Sequence, residues 1–332
     1  MNVVENYLHT LESKLGFSGS ALVAYKGNVV SSKGYGYANY DYLIENTPKS
    51  KFNIGSITKQ ITAAAIYILV EQGLLKTSDT LAKHLPNLPT DWNQVTIIQL
   101  LTHTSGIPDY VGLVDWQTTG KYFHKPLDIV SMVFDKPLDF KPGSNYSYCA
   151  TGYMLLGILV ELISEINYSN FLKEYIFDVL QLTDTGVYHN NLVLPARVSG
   201  YEIHGACVAN QESFDMSFAF ATGDLYSTIE DLYLWHKALF TGELLLSSSL
   251  KGMMTPSAVY SGYGSGLEIT DYRGGRVIGH KGEIGCFSSI IRNHINEDLQ
   301  IIVLSNLESC DIPDIEKIAT TLADAVLEGS FF

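Results

Sequence analysis

The sequence predicts a mixed α/β fold of the α+β kind: one antiparallel sheet drawn from both chain ends, flanked by helices, with a mostly helical second subdomain between. Three observations carry this. β-prone runs around short turn signals stand near both ends, in "SGSALVAYKGNVVSSKGYGYANYD" and in "GYGSGLEITDYRGGRVIGHKGEIGCFSSIIRNHINEDLQIIVLSNLE". Between them the apolar residues recur at helical spacing. The 332 residues are 46% hydrophobic and 17% charged, a composition that buries a large core. One domain over 1–332 is expected, its α/β part at about 1–55 and 246–332 and its mostly helical part at about 56–245.

The elements follow in order. In "MNVVENYLHTLESKLG", Val4, Tyr7, Leu8, Leu11 and Leu15 share one helix face, and the helix stops near Gly16. Lys26-Gly27-Asn28 is the turn of a hairpin. Helical periods then cover 57–72, 95–101, 127–134, 151–166, 169–178 and 229–240, separated by loops rich in Pro, Gly and Asn. The most apolar of these, "YMLLGILVELISEI", is short and carries Glu161 and Glu165, so it reads as a core helix and not a membrane span. Residues 183–225 read as ordered loop with short strands. Three or four strands separated by Gly-Gly, Gly and Asn-Glu-Asp turns follow, and "IPDIEKIATTLADAVLEG" closes the chain as a helix with Pro313 near its first turn.

Charge narrows the function. Against 35 acidic residues stand 21 basic ones, a net charge of −14 that argues against nucleic acid and against an anionic membrane surface. Cys149, Cys207, Cys286 and Cys310 are widely spaced and read as free thiols. The first residues lack the basic start, apolar run and cleavage site of a leader. The compartment stays open: periplasmic or extracellular had a leader been removed, cytoplasmic otherwise.

Chemistry concentrates in three stretches. "FNIGSITKQITAAAIYILVEQG" sets Ser56 and Lys59 one turn apart at the start of an apolar helix, where unsatisfied N–H groups favour a developing negative charge. A buried lysine there is costly unless it loses its proton or finds a partner, which suits a base beside a nucleophile. Spacing alone is not diagnostic, since Ser248 and Lys251 repeat it. "FKPGSNYSYCATGYMLLG" supplies a phenol, whose proton a neighbouring ammonium would help release. In "VIGHKGEIGCFSS" strand alternation puts His280 and Gly282 toward one side and Lys281 toward the other. No GxSxG elbow, HExxH, phosphate loop or Cys/His cluster occurs, so neither metal nor other cofactor is expected.

Together these stretches resemble the serine β-lactamase and penicillin-binding-protein superfamily, in particular the class C-like branch with its class VIII esterases and D-amino-acid peptidases. The resemblance spans almost the whole chain and keeps the family's order: "SITK", "LLTHTSGIPDY" at 100–110, "FKPGSNYSYCATGYMLLG" at 140–157, "ATGDLYSTIEDLYLWHKAL" at 221–239, "YGSGLE" at 263–268 and "GHKGEIGCFSS" at 279–289. It implies a β-lactamase-like fold, Ser56 as acylated nucleophile and Lys59 as its proton-handling partner. The family's Tyr-x-Asn aligns as Tyr148-Cys149-Ala150, which makes Tyr148 the base; a register slip of two would substitute Tyr146. His280-Lys281-Gly282 stands for Lys-Thr-Gly, so His280, Gly282 and Ala150 are expected to contact substrate. The backbone N–H groups of Ser56 and Glu283 would form the oxyanion hole, and His103 would support its loop.

Two departures bear on substrate. Ala150 cannot hydrogen-bond an amide as the family's asparagine would, and the third motif carries lysine at its second position instead of its first. Both favour esters or modified peptides over β-lactams. Glu283 adds a carboxylate that would meet either a substrate amine or solvent. The resemblance therefore implies a serine hydrolase forming an acyl-serine intermediate on a small ester, amide or peptide, esterase or D-amino-acid peptidase-like. The alternatives are a penicillin-binding D-alanyl-D-alanine carboxypeptidase, a class C β-lactamase, or a catalytically weak binding or assembly protein on the same scaffold. Oligomeric state is left open.

Overall fold

The computed structural model describes residues 3–115, 118–205 and 207–328. The N-terminal periodicity forms helix α1 (Val3–Leu15), with Val4, Leu8 and Leu11 buried. Strands β1 (Gly19–Tyr25) and β2 (Asn28–Tyr35) follow, joined through Lys26 and Gly27 at φ +50° and +74°. Two consecutive positive φ angles are what a tight hairpin with right-handed strand twist requires. The remaining strands of the main sheet come from the other end: β3 (Glu268–Tyr272), β4 (Gly275–Ile284), β5 (Phe287–His294) and β6 (Leu299–Ser305). The order is β3-β4-β5-β6-β1-β2, with antiparallel pairing throughout.

Alternation along β1 builds two cores. Ala21 and Val23 face a cluster with α1 and helix α4 (Ile315–Leu327), whereas Leu22 and Ala24 face the larger cluster that holds the helical elements. At the centre of that larger core is helix α2 (Thr58–Glu71), entered through a 3-10 turn at Gly55–Ile57 and buried from Thr58 through Leu69. Its polar residues survive there because they have partners. Thr58 Oγ1 accepts from the Leu225 N–H, Thr62 donates to Ala221 O, and Gln60 Oε1 accepts from the Trp235 indole.

Helix α3 (Ala150–Ser164) packs against α2 with Leu155, Leu156 and Leu159 fully buried, and it stops where Glu165 adopts φ +59°. Among the described residues no single helix is long and apolar enough to cross a membrane. Residues 183–225 hold short strands at Gly186–Val187, Tyr201–His204, Cys207–Asn210 and Leu225–Ser227. The strand Leu307–Glu308 joins Tyr201–His204 in parallel, so that Glu308 lies in register with Glu202.

Some boundaries shift. Pro313 stands just before the last helix, near its first turn as read, and Asp314 caps the helix by accepting from the Glu316 N–H. The helix read over 95–101 is shortened to Ile97–Leu101, since a Thr96/Gln99 capping box starts it there. Gly329 lies outside the described residues. Ser247–Met253 is a further helix, and it carries the second Ser/Lys pair, Ser248 and Lys251.

Candidate active site

Because Ser56 sits in the 3-10 turn and Lys59 in the first turn of α2, their spacing brings the side chains together: Lys59 Nζ donates to Ser56 Oγ at 3.0 Å. Lys59 is only 2% exposed, and its second bond runs to Thr222 O at 2.8 Å. Burial drives its pKa down from 10.5 to about 7, against the carboxylate of Asp109, which pulls upward.

Tyr148 closes the group. Its ring leans over Lys59, with Nζ 4.9 Å from the centroid. Tyr148 is 38% exposed, and its hydroxyl is within hydrogen-bonding reach of Ser56. Burial raises the phenol well above its ordinary value, and the hydrogen-bonding contact with Ser56 lowers it by less. Burial thus works against the phenolate that a neighbouring ammonium was expected to favour. Burial disfavours the charged forms of both groups, so lysine, and not tyrosine, is the group that can be unprotonated near neutrality. Tyr146 points elsewhere, stacked on Tyr260 at 4.0 Å between centroids.

An aromatic shell holds Tyr148. His103, 1% exposed and at φ +56°, packs against it with ring centroids 4.3 Å apart and accepts from the Cys149 N–H through Nδ1. Tyr263 meets the Tyr148 ring edge-on at 6.1 Å. The Tyr263 hydroxyl bonds His280 Nε2 at 2.8 Å, and His280 Nδ1 lies 2.5 Å from Lys281 O. A carbonyl only accepts, so Nδ1 carries the proton and Nε2 accepts from tyrosine. Burial lowers His280 to about 4, so the ring is neutral.

Ser56, Lys59 and Tyr148 open on a cleft of about 880 Å³ that also includes Asp109, Ala150, Glu202, Glu212, Thr222, Glu283 and Glu308. Ala150 is on the wall, with its N–H donated to Asp109 Oδ1 at 3.2 Å. His280 and Gly282, expected to contact substrate, are not on the wall. His280 is 1% exposed with both ring nitrogens engaged behind it. Gly282 is where β4 touches the Ser56 turn: a Cβ there would lie 2.1 Å from Ile54 O and 3.0 Å from Ser56 N. From the other side, a Cβ on Gly55 would lie 2.7 Å from Glu283 N. Two glycines thus let the backbone N–H groups of Ser56 and Glu283 approach one another. Lys281 turns outward to Glu283 and Asp314 at 2.8 and 2.9 Å, so the Glu283 carboxylate is paired and 66% exposed.

Two residues escaped the sequence reading. Thr222 contributes a carbonyl, which no side-chain motif reports; Ala221 before it holds φ +56°. Asp109 sits inside "LLTHTSGIPDY", where a carboxylate beside Pro108 in an apolar loop was the available signal.

A protein-family description, Beta-lactamase, matches residues 7–321. PbpX of Bacillus subtilis (strain 168) is 31% identical over 266 residues, which are 80% of this chain and 64% of PbpX. Penicillin-binding protein 4* of the same organism is 28% identical over 348 residues, 98% of this chain and 76% of the relative. The chain thus spans less than two thirds of the length of PbpX and about three quarters of that of penicillin-binding protein 4*. Among solved structures, D-amino acid amidase from Ochrobactrum anthropi SV3 complexed with L-phenylalanine superimposes with a TM-score of 0.83 at 26% identity, covering 98% of this chain and 97% of that one.

Proposed function

The chain belongs to the beta-lactamase family, and from that membership we propose that it is a serine hydrolase working through an acyl-serine intermediate on Ser56. The observation that carries the reading is the 3.0 Å bond between Ser56 Oγ and a lysine whose burial holds it at about pKa 7. A buried amine that titrates near neutrality is a usable general base, whereas an ordinary lysine is not.

The geometry supports the following steps. Ser56 Oγ attacks a substrate carbonyl while its proton passes to neutral Lys59. The oxyanion that forms is held by the N–H groups of Ser56 and Glu283, fixed dipoles at the Gly55–Gly282 contact. Tyr148, a neutral phenol touching Ser56, donates to the leaving oxygen or nitrogen and is reprotonated from Lys59. Water then attacks the acyl ester by the reverse route. Ala150 offers no side-chain partner to an amide, which supports a small ester or an unacylated amide over a β-lactam. The similarity to D-amino acid amidase is in keeping with that substrate range.

Ser56→Ala is expected to abolish turnover of a chromogenic short-chain ester while leaving the unfolding midpoint near that of the parent. Undiminished turnover in the variant would refute the assignment.

A further inference from the structure

Lys59 can take the Ser56 proton only when its lone pair faces the hydroxyl, and a neutral amine turns about its last bond unless one of its N–H groups is held. Thr222 O holds one, 2.8 Å from Nζ. The residue before it sets where that carbonyl points. Ala221 is fully buried at φ +56°, a conformation that a side chain disfavours and that its surroundings must therefore impose. It is clamped on both sides: its N–H donates to Asp224 Oδ1 at 3.2 Å, and its carbonyl accepts from Thr62 Oγ1 at 2.7 Å. A threonine hydroxyl has one proton, so Thr62 in turn accepts from the Tyr168 hydroxyl at 2.6 Å. The Thr222 and Gly223 N–H groups both return to Ala219 O at 2.8 Å, which closes the turn. Thr62, Tyr168 and Asp224 are buried, and none of them is on the wall of the cleft.

We propose that Thr62 and Asp224 are positioning residues of the reaction: by clamping Ala221 they aim the Thr222 carbonyl, which turns the Lys59 lone pair toward Ser56. This rests on the acyl-serine reading and adds what orients its base. Truncated and conservative variants at both positions test it. Asp224→Ala and Thr62→Val each remove one clamp. Asp224→Asn keeps an oxygen for the Ala221 N–H, and because Asp224 lines a second cavity of about 740 Å³ the new amide N–H₂ has room. Thr62→Ser keeps the hydroxyl. The probe is an alkyl fluorophosphonate: the Ser56 Oγ–P bond forms, the P–F bond breaks, fluoride leaves and the hydroxyl proton passes to Lys59. Intact mass gives the rate and the fraction of protein modified from about pH 5 to 9.

In Asp224→Ala and Thr62→Val the plateau rate is expected to fall about tenfold or more, the order of loss that misplacing a reacting group brings. The acid limb should also move to lower pH, because a carbonyl accepting from the amine favours the ammonium, and its withdrawal lets burial lower Lys59 further. Asp224→Asn and Thr62→Ser should restore both rate and limb. Should Asp224→Ala fail to fold, the Thr62 pair carries the test. Truncated variants with the parent's rate and limb overturn the inference, as does a smaller modified fraction with the limb in place, which marks a purely structural role. Asp224→Asn behaving like Asp224→Ala overturns it too, since charge and not the clamp would then be the cause. A parent that is never modified at Ser56 sinks the acyl-serine reading instead, and the titration of Lys59 still decides the clamp. Carbon NMR of protein isotopically labelled at lysine Cε, with the signal identified by its loss in Lys59→Met, should give a midpoint near about 7 that moves down in Thr62→Val and returns in Thr62→Ser. One midpoint shared by all three overturns the inference.

Discussion

Lys59→Met separates the stability of the site from its chemistry. Lowering the lysine from 10.5 to about 7 corresponds to roughly 5 kcal/mol against the buried ammonium, at about 1.4 kcal/mol per unit. The unfolded chain keeps its proton up to the higher value, so between the two it binds more protons than the folded one and stability rises with pH. Below about pH 7 the full burden is present; above about 10.5 it is gone. Methionine has similar length and carries no charge, but it forfeits the bonds to Ser56 and Thr222, a pH-independent loss of about 1–3 kcal/mol. The variant should therefore be more stable than the parent by about 2–4 kcal/mol near pH 6, and the curves should cross near about pH 9. Urea unfolding followed by fluorescence of the buried Trp92 and Trp235 measures both proteins. A stability difference that stays constant from about pH 6 to 9 would refute the reasoning, since the lysine would then titrate alike folded and unfolded.

Three further outcomes are expected. Tyr148→Phe should lower kcat for a chromogenic ester by about 10²-fold or more, while Tyr146→Phe stays within about tenfold; the reverse order would mean the register of the second motif is misread. Asp109→Asn removes a charge that holds Lys59 up, so the acid limb of the kcat/KM profile should move to lower pH; a move upward would show that Lys59 does not set that limb. Gly282→Ala drives a methyl into Ile54 O and should lower stability by about 3 kcal/mol and slow Ser56 labelling; an unchanged melting curve would show that the strand and turn can separate freely.

What a reader of the sequence can see is what the chain's own local geometry imposes. Ser56 and Lys59 meet because residues three apart on a helix are neighbours wherever the helix lies. Lys26-Gly27 turns the hairpin because those two positions need positive φ. Ala21, Leu22, Val23 and Ala24 divide between two cores because strand side chains alternate. The same local rules fall short at His280. Alternation turned it away from Lys281 correctly, but the side chain stops behind the cleft because Tyr263 holds its second nitrogen.

Everything that depends on which distant residues share a volume was decided by the tertiary structure. Whether Tyr146 or Tyr148 overhangs Lys59 follows from how residues 140–150 cross the loop carrying His103, which no period reports. The protonation of the site follows from burial: dehydration drives the lysine down and the phenol up, an energy absent from either motif read alone. Glu202 and Glu308 become a charged pair only because two short strands from remote parts of the chain lie in register. Bonded geometry acts within a few residues and is written in order along the chain, whereas solvation and charge act through space and exist only once the chain has folded.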